Sequence, residues 1–433
     1  MTYFNHKEQA VSRPRGFREL ANRRVGIWGV GIEGRAAHRA ARVFTDDIVL
    51  VDDAPSSPDV LATNDGGLTA LATCEIVLKS PGIPRRRADV EQLAHQVHLT
   101  SALEVWLAGT DRSRVIAVTG TKGKSTTTAL IDFFLRAEGA SSRRVGNSGE
   151  PPYDTEQADT EWTVLEVSSF QAVDLIEAPG IVVVTSLGAD HLDWHGSLDH
   201  YHRDKLSLTH TEGHHLTVIP DDPALLLRRD EIGGDITIAP GRDEELATAL
   251  GLIGRHNAGN VSVALTVVAR ALHRASSEVR TTALAVADQF SPLPGRLTLV
   301  HRSGDVDFID DGLATTPLAT AAALEAFPDR HVVLIVGGFD RGVDYRDLFR
   351  AVAAHGDVQL VTTGPAGDRI ASSAPSTLPL VRATSFDDAV RQALTHMADR
   401  RGVVLLSPGA PSFDEFANWS ERSTAFLAAV TRG

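Results

Sequence analysis

The sequence predicts an α/β protein of three domains, and three observations predict it. Short β-branched apolar runs (over 48–51, 115–118, 181–184 and 402–406) alternate with helix-forming stretches along the chain. Glycine-rich turns follow several of these runs, at the ends where parallel sheets hold ligands. The 433 residues exceed what one hydrophobic core organises. The expected domains are 1–110, 111–293 and 294–433.

In chain order, a strand near Val25 runs into Gly29-x-Gly31-x-x-Gly34, followed by an alanine-rich helix. A strand over 48–51 then ends at Asp52, the distance at which an acid meets a ribose or a base. This is a Rossmann-like beginning. The turn alone suits a dinucleotide dehydrogenase, any other diphosphate, or the close packing of a helix on its strand. A third strand, over 76–79, leads into Ser80-Pro81-Gly82. Arg85-Arg86-Arg87 is the one short basic run, read as a solvated helix start or as a contact for a ligand phosphate.

The second domain opens on a strand over 115–118, then Gly120-Thr121-Lys122-Gly123-Lys124-Ser125-Thr126 and a helix. Strand, glycine loop and helix N-terminus form an anion cradle, to which the helix dipole adds. Lys124 suits the terminal phosphates of ATP, and the Ser125 hydroxyl suits Mg²⁺. The strict Walker pattern wants one more glycine where Val118 stands, so this P-loop ATPase-like domain carries a variant loop. A buried-type strand over 163–171 carries Glu166, and another over 181–186 leads to Asp190-His191. A helix over 198–208 includes Lys205. An acid leaving an apolar strand needs a cation or a donor beside it. Asn257 and Asn260 precede a long helical run, as caps or as ligands of a purine or phosphate.

Proline and glycine over 291–296 mark a domain edge, and Arg296 closes it. The third domain alternates again, Rossmann-like: a strand over 306–311 ending in acids, a helix over 316–327, and strands over 332–336, 358–361 and 402–406.

Bulk properties exclude several classes. The net charge of -14 argues against a nucleic-acid surface. Cys74 is the only cysteine, so internal disulfides and multi-cysteine metal sites are excluded. No apolar run has the length of a membrane span and the start lacks a signal peptide, which fits a cytoplasmic protein. The parts add up to an ATP-dependent enzyme acting on a nucleotide-linked acidic substrate, with a kinase and a ligase both open.

Gly120 to Thr126 resembles the ATP loop of the Mur ligases, the family that builds the peptide stem of bacterial cell wall. Motifs around Glu166-Val167-Ser168-Ser169-Phe170-Gln171, Asp190-His191, Asn257 to Asn260, Ser80-Pro81-Gly82 and Ser407 to Phe416 resemble its MurD-type, glutamate-adding branch, and they span the whole chain. The resemblance implies that ATP phosphorylates the carboxylate of UDP-N-acetylmuramoyl-L-alanine, and that the amine of glutamate attacks the acyl phosphate. It implies ATP contacts from Gly120, Thr121, Lys122, Gly123, Lys124, Ser125, Thr126, Asn257, Asn260, Arg296 and Asp311. Mg²⁺ ligands would be Ser125 and Glu166 for one ion and His191 and Lys205 for a second, with Lys205 carbamylated. Lys124, Glu166, His191 and Lys205 form the implied catalytic set. Gly29, Gly31, Gly34, Asp52, Ser80, Asn147 and Ser168 would hold the sugar nucleotide, and Thr315, Arg341, Ser412 and Trp419 the glutamate. A monomer is expected, with an epimerase acting downstream.

Three departures cluster in the third domain, where the glutamate pocket is expected. Leu313 replaces a lysine of the branch, Arg341 stands where it has lysine, and Trp419 where it has phenylalanine. Arginine offers a planar fork to a carboxylate whereas lysine is a compact charge, so such a swap re-aims the amino acid. The Thr315-Thr316-Pro317 and Asp340-Arg341-Gly342 variants resemble the members that add L-glutamate, and L-glutamate is expected. D-glutamate is the alternative. Folylpolyglutamate synthase shares the ATP domain but lacks the first glycine turn, a dehydrogenase leaves the ATP loop unexplained, and a nucleotide sensor needs neither Glu166, His191 nor Lys205.

Overall fold

A computed structural model describes residues 13–147, 149–154, 160–213, 215–398 and 400–432. Its strands form three sheets. The first contains β1 Val25–Trp28, β2 Ile48–Asp52, β3 Leu61–Ala62, β4 Ile76–Lys79 and β5 His98–Thr100, in the order β3-β2-β1-β4-β5 with every pairing parallel. The second contains β6 Val115–Thr119, β7 Ser142–Gly146, β8 Trp162–Glu166, β9 Ile181–Val184, β10 Leu216–Pro220 and β11 Asp235–Ala239. Its order is β11-β10-β9-β6-β8-β7, again all parallel. The third contains β12 Thr298–Ser303, β13 Val306–Asp310, β14 His331–Gly337, β15 Val358–Thr363, β16 Leu380–Arg382 and β17 Gly402–Leu406, in the order β12-β13-β17-β14-β15-β16. Only β12 runs antiparallel, against β13.

The chain gathers into two compact units, the described residues of Met1–Gly241 with Asn260–Ala283, and Arg242–Gly259 with Leu284–Gly433. The first holds two sheets and the second holds one. Within each sheet the two-residue period of a strand sorts side chains onto opposite faces. Val332, Leu334 and Val336 of β14 enter one core while Val333 and Ile335 enter the core on the other face. In β1, Val25 and Ile27 pack on one face and Trp28 on the other. Strands β6, β8, β9 and β17 are buried at every residue, as parallel strands covered on both faces must be.

Three sequence expectations change. The strand expected over 163–171 stops at Glu166, because Ser168 and Gln171 close a reciprocal capping box that starts the helix Ser169–Ala172. Asn257 and Asn260 are not caps, since both lie inside the helix Arg255–Ala271. The basic run does stand at a helix start, with Arg87 the N-cap of the helix Ala88–Ala94, but it is not merely solvated: Arg85 donates to the Val173 carbonyl, Arg86 forks onto Asp204, and Arg87 pairs with Asp53 and Asp89. Among the described residues, no helix is long and apolar enough to cross a membrane.

Candidate active site

The centre of the site is the loop between β6 and the helix Lys124–Ala137. Gly120 and Gly123 both have positive φ, +144° and +85°. A Cβ on Gly120 would lie 2.0 Å from Thr185 Oγ1, and one on Gly123 would lie 2.7 Å from Asn260 Oδ1. Only glycine fits both the torsion and the space. The neighbouring strand end holds the loop from the side. Thr121 N–H donates to the Ser186 carbonyl (2.9 Å), Lys122 N–H to Ser186 Oγ (2.8 Å), and Thr185 Oγ1 to the Lys122 carbonyl (2.5 Å). Thr121 Oγ1 accepts from Gly188 N–H at 2.9 Å and from the Tyr201 hydroxyl at 3.0 Å. Ser125 and Thr126 are buried at the first turn of the helix, where backbone N–H groups have no partner within the helix.

Two amines converge on this loop. Lys124 Nζ donates to the carbonyls of Gly120 (2.8 Å) and Thr121 (3.3 Å), and Lys205 Nζ donates to the same Gly120 carbonyl at 3.0 Å. Lys205 is 2% exposed. Burial first, and the charge of Lys124 second, push its amine well below the ordinary lysine range, against the opposing pull of Asp190 and Glu166. Glu166, 1% exposed at the end of β8, accepts from Asn147 Nδ2 at 3.1 Å. His191 follows β9 in a left-handed conformation (φ 48°), which a β-carbon makes costly. Its ring contacts Phe170 with centroids 4.9 Å apart, and its Nε2 lies 3.8 Å from Asp190 Oδ2. Among the described residues no group of three or more His, Cys, Asp or Glu side chains forms a metal cage.

In the first sheet, the turn after β1 faces the end of β4, where the strand order reverses. A Cβ on Gly34 would fall 1.8 Å from the Gly29 carbonyl oxygen, and one on Gly29 would fall 2.6 Å from Ser80 Cβ. Gly31 caps the helix Ile32–Arg42. Asp52 accepts from Val30 N–H at 2.6 Å and so fixes the turn. Glu33, in the first turn of that helix, accepts from Gln171 Nε2 at 2.7 Å, which links the helix start to the capped segment that follows Glu166 through Ser168.

The second unit presents its acids at the ends of its parallel strands. Asp311 accepts from Ser407 Oγ (2.8 Å) and from Leu297 N–H (3.3 Å), and burial raises its carboxyl to about 7. Leu297, next to Arg296, is again left-handed, at φ 50°. Asn257 donates to the Ile253 carbonyl at 2.8 Å. Leu313 and Trp419 meet at Gly295, whose added Cβ would lie 2.7 Å from the indole and 3.5 Å from Leu313 Cγ. Two of the three departures are thus neighbours, while Arg341 stands exposed on the loop after β14. Thr315 is half-buried and Ser412 buried.

The sequence pattern gave no sign of Arg422. It is 3% exposed, and its Nη2 donates to the carbonyls of Gly312 and Ala410, both at 3.1 Å. It therefore ties the loop before Thr315 to the loop before Ser412. Thr185, Ser186 and Tyr201, which brace the ATP loop, were also missed. The signal for Thr185 and Ser186 was position alone, just past the carboxyl end of the strand beside β6, and Tyr201, in the helix Leu198–Leu206, had none.

Residues 118–232 match the family profile described as Mur ligase middle domain, and residues 295–409 match Mur ligase, glutamate ligase domain. The chain is 38% identical to the UDP-N-acetylmuramoyl-L-alanine--L-glutamate ligase of Micromonospora sp., over 95% of this chain and 97% of that protein. It is 36% identical to the protein of the same description in Salinispora tropica, over 95% and 98% of the two chains. The crystal structure of MurF ligase from Thermotoga maritima in complex with ADP matches with a TM-score of 0.58 over 96% of this chain and 97% of that one, at 16% identity. That likeness concerns the fold.

Proposed function

This chain belongs to the Mur ligase family, and we propose that it joins L-glutamate to UDP-N-acetylmuramoyl-L-alanine at the expense of ATP. It is an ATP-dependent acid–amino-acid ligase of peptidoglycan precursor synthesis. The observation that carries the assignment of roles is the convergence of Lys124 and Lys205 on the Gly120 carbonyl, with Glu166 buried at the adjacent strand end.

In this reading residues 1–110 seat the sugar nucleotide, 111–293 seat ATP, and 294–433 seat the amino acid. Gly29, Gly31 and Gly34 accept the diphosphate, Asp52 the uracil end, and Ser80, Asn147 and Ser168 the rest of the substrate. The loop Gly120–Thr126 holds the ATP phosphates with Lys124 on the terminal ones, and Asn257, Asn260, Arg296 and Asp311 contact the nucleotide. The substrate carboxylate attacks the terminal phosphorus; the bond to ADP breaks and an acyl phosphate forms. The amine of glutamate then adds to the acyl carbon, loses a proton, and inorganic phosphate leaves as the amide forms.

The oxygen donors suit Mg²⁺, a hydroxyl at Ser125 and a buried carboxylate at Glu166, while the second site draws on His191 and on Lys205, whose amine burial pushes well below the ordinary lysine range and which would offer oxygen once carbamylated. Bound there, the metal supplies positive charge for the phosphate oxygens. A neutral Lys205 amine adds CO₂ and releases one proton, giving a carbamate that supplies carboxylate character. Thr315, Arg341, Ser412 and Trp419 seat glutamate, and the side chains that mark L-glutamate preference are Arg341, Leu313 and Trp419. The protein acts as a cytoplasmic monomer and passes its product to an epimerase. A heavy-oxygen label in both carboxylate oxygens of the substrate tests the chemistry: one labelled oxygen is expected in released phosphate and the other in the amide, and released phosphate free of label contradicts an acyl phosphate.

A further inference from the structure

Between the segment that ends the first sheet's turn and His191 lies a continuous aromatic wall. Trp194 Nε1 donates to the Gly82 carbonyl at 3.4 Å, two residues beyond Ser80. The indole packs on Phe170 (centroids 4.7 Å apart), and Phe170 packs on His191 (4.9 Å). Both Trp194 and Phe170 are half-buried, so each keeps part of its side chain in contact with solvent.

The wall cannot recede. Behind it His195, 1% exposed, lies parallel to Phe170 (16° between planes, 5.5 Å) and against Trp194 (4.4 Å). Its two ring nitrogens are both engaged, Nε2 with Ser169 Oγ at 3.0 Å and Nδ1 with Asp204 Oδ2 at 2.7 Å. Arg86 forks onto Asp204 at 2.8 and 2.7 Å, and Ser169 and Asp204 are themselves buried. This arrangement of serine, histidine and aspartate is closed to substrate, and its geometry serves to hold the imidazole still.

We propose that Phe170 and Trp194 select the side chain of the amino acid that carries the reacting carboxylate, admitting a methyl group and rejecting larger ones. The inference rests on the function proposed above. A substrate held at Gly29–Gly34 and Ser80 must bring its carboxylate to phosphates held at Lys124, on the His191 side. The residue just before that carboxylate is then the part that lies along Gly82, Trp194, Phe170 and His191. An apolar wall favours a methyl group over a polar side chain, and a wall fixed from behind has no room to yield to a branched one. His195 is the positioning residue that keeps it fixed.

The test uses the full chain with Mg-ATP, L-glutamate and UDP-N-acetylmuramic acid bearing L-alanine, L-serine or L-valine. The wild-type enzyme is expected to prefer alanine over valine by roughly 100-fold in kcat/KM. Trp194→Ala is expected to narrow that ratio about tenfold or more, with the KM for ATP and for glutamate within about twofold of wild type. Trp194→Phe keeps a ring and should keep the ratio. Phe170→Leu carries the same test should Trp194→Ala fail to fold. Equal loss of kcat/KM for the alanine and valine substrates overturns the inference alone. Absence of turnover with the alanine substrate in the wild-type enzyme overturns the functional reading, and this inference with it.

Discussion

Lys205 Nζ, in a side chain 2% exposed, reaches across from the helix Leu198–Leu206 to the Gly120 carbonyl, 3.0 Å away, beside a second amine that binds the same oxygen. A buried lysine that shares its acceptor is a poor stabilising device and a good chemical one. The shared acceptor keeps its other donor when Lys205 is removed.

Stability and activity should therefore part at this residue. The folded amine is depressed by burial first and by Lys124 second, so the unfolded chain binds a proton that the folded chain does not. Folding stability then rises with pH through that window, up to the ordinary lysine value of about 10.4. In metal- and nucleotide-free buffer near pH 7, Lys205→Met is expected to melt above wild type while losing ligase turnover. The melting gap should close as the pH approaches about 10. A variant that keeps full turnover contradicts the role given to Lys205.

Asp311 gives the opposite slope. Burial raises its folded carboxyl to about 7 from 3.8, so the folded state holds the extra proton between those values. Stability falls as pH rises through that window and stays lower above it. The stability difference between Asp311→Asn and wild type, read by thermal melting, should grow in favour of the variant from about pH 4 to about pH 7.

The two glycine turns should fail separately. Gly123→Ala forces a β-carbon into a left-handed residue and within 2.7 Å of Asn260 Oδ1. It is expected to lower kcat/KM for ATP about tenfold or more, roughly 1.4 kcal/mol at the transition state. Gly34→Ala places a β-carbon 1.8 Å from the Gly29 carbonyl oxygen, and should raise the KM for the sugar nucleotide while sparing ATP. Steady-state kinetics with each substrate varied in turn separates them.

Arg422→Ala leaves the carbonyls of Gly312 and Ala410 without this donor. The expected cost is about 3 kcal/mol in denaturant unfolding, with a raised KM for glutamate because the loops before Thr315 and Ser412 lose their tie.

The glycines of the two turns and the strand-end acids were legible because their geometry forces a local pattern. Gly120, Gly123, Gly29 and Gly34 each avoid a clash that backbone geometry dictates, and Glu166 ends a fully buried strand. What sequence reasoning could not see depends on contacts made across the fold. Nothing near Asn260 says that it packs on Gly123, and nothing near Arg86 says that it forks onto Asp204. His195 stands in a histidine-rich stretch without a periodic mark, and Arg422 reads as an ordinary charged residue of a C-terminal helix. The end of β8 has a local sequence signal. Ser168-x-x-Gln171 is a helix-start signature, masked by the apolar run that precedes it.

The central claim is the stereochemistry of the glutamate that the enzyme adds. It is tested most directly by kcat/KM for L-glutamate against D-glutamate, with UDP-N-acetylmuramoyl-L-alanine and Mg-ATP, following ADP release and the configuration of the product. The account predicts turnover with L-glutamate and little or none with D-glutamate. Turnover confined to D-glutamate would contradict it.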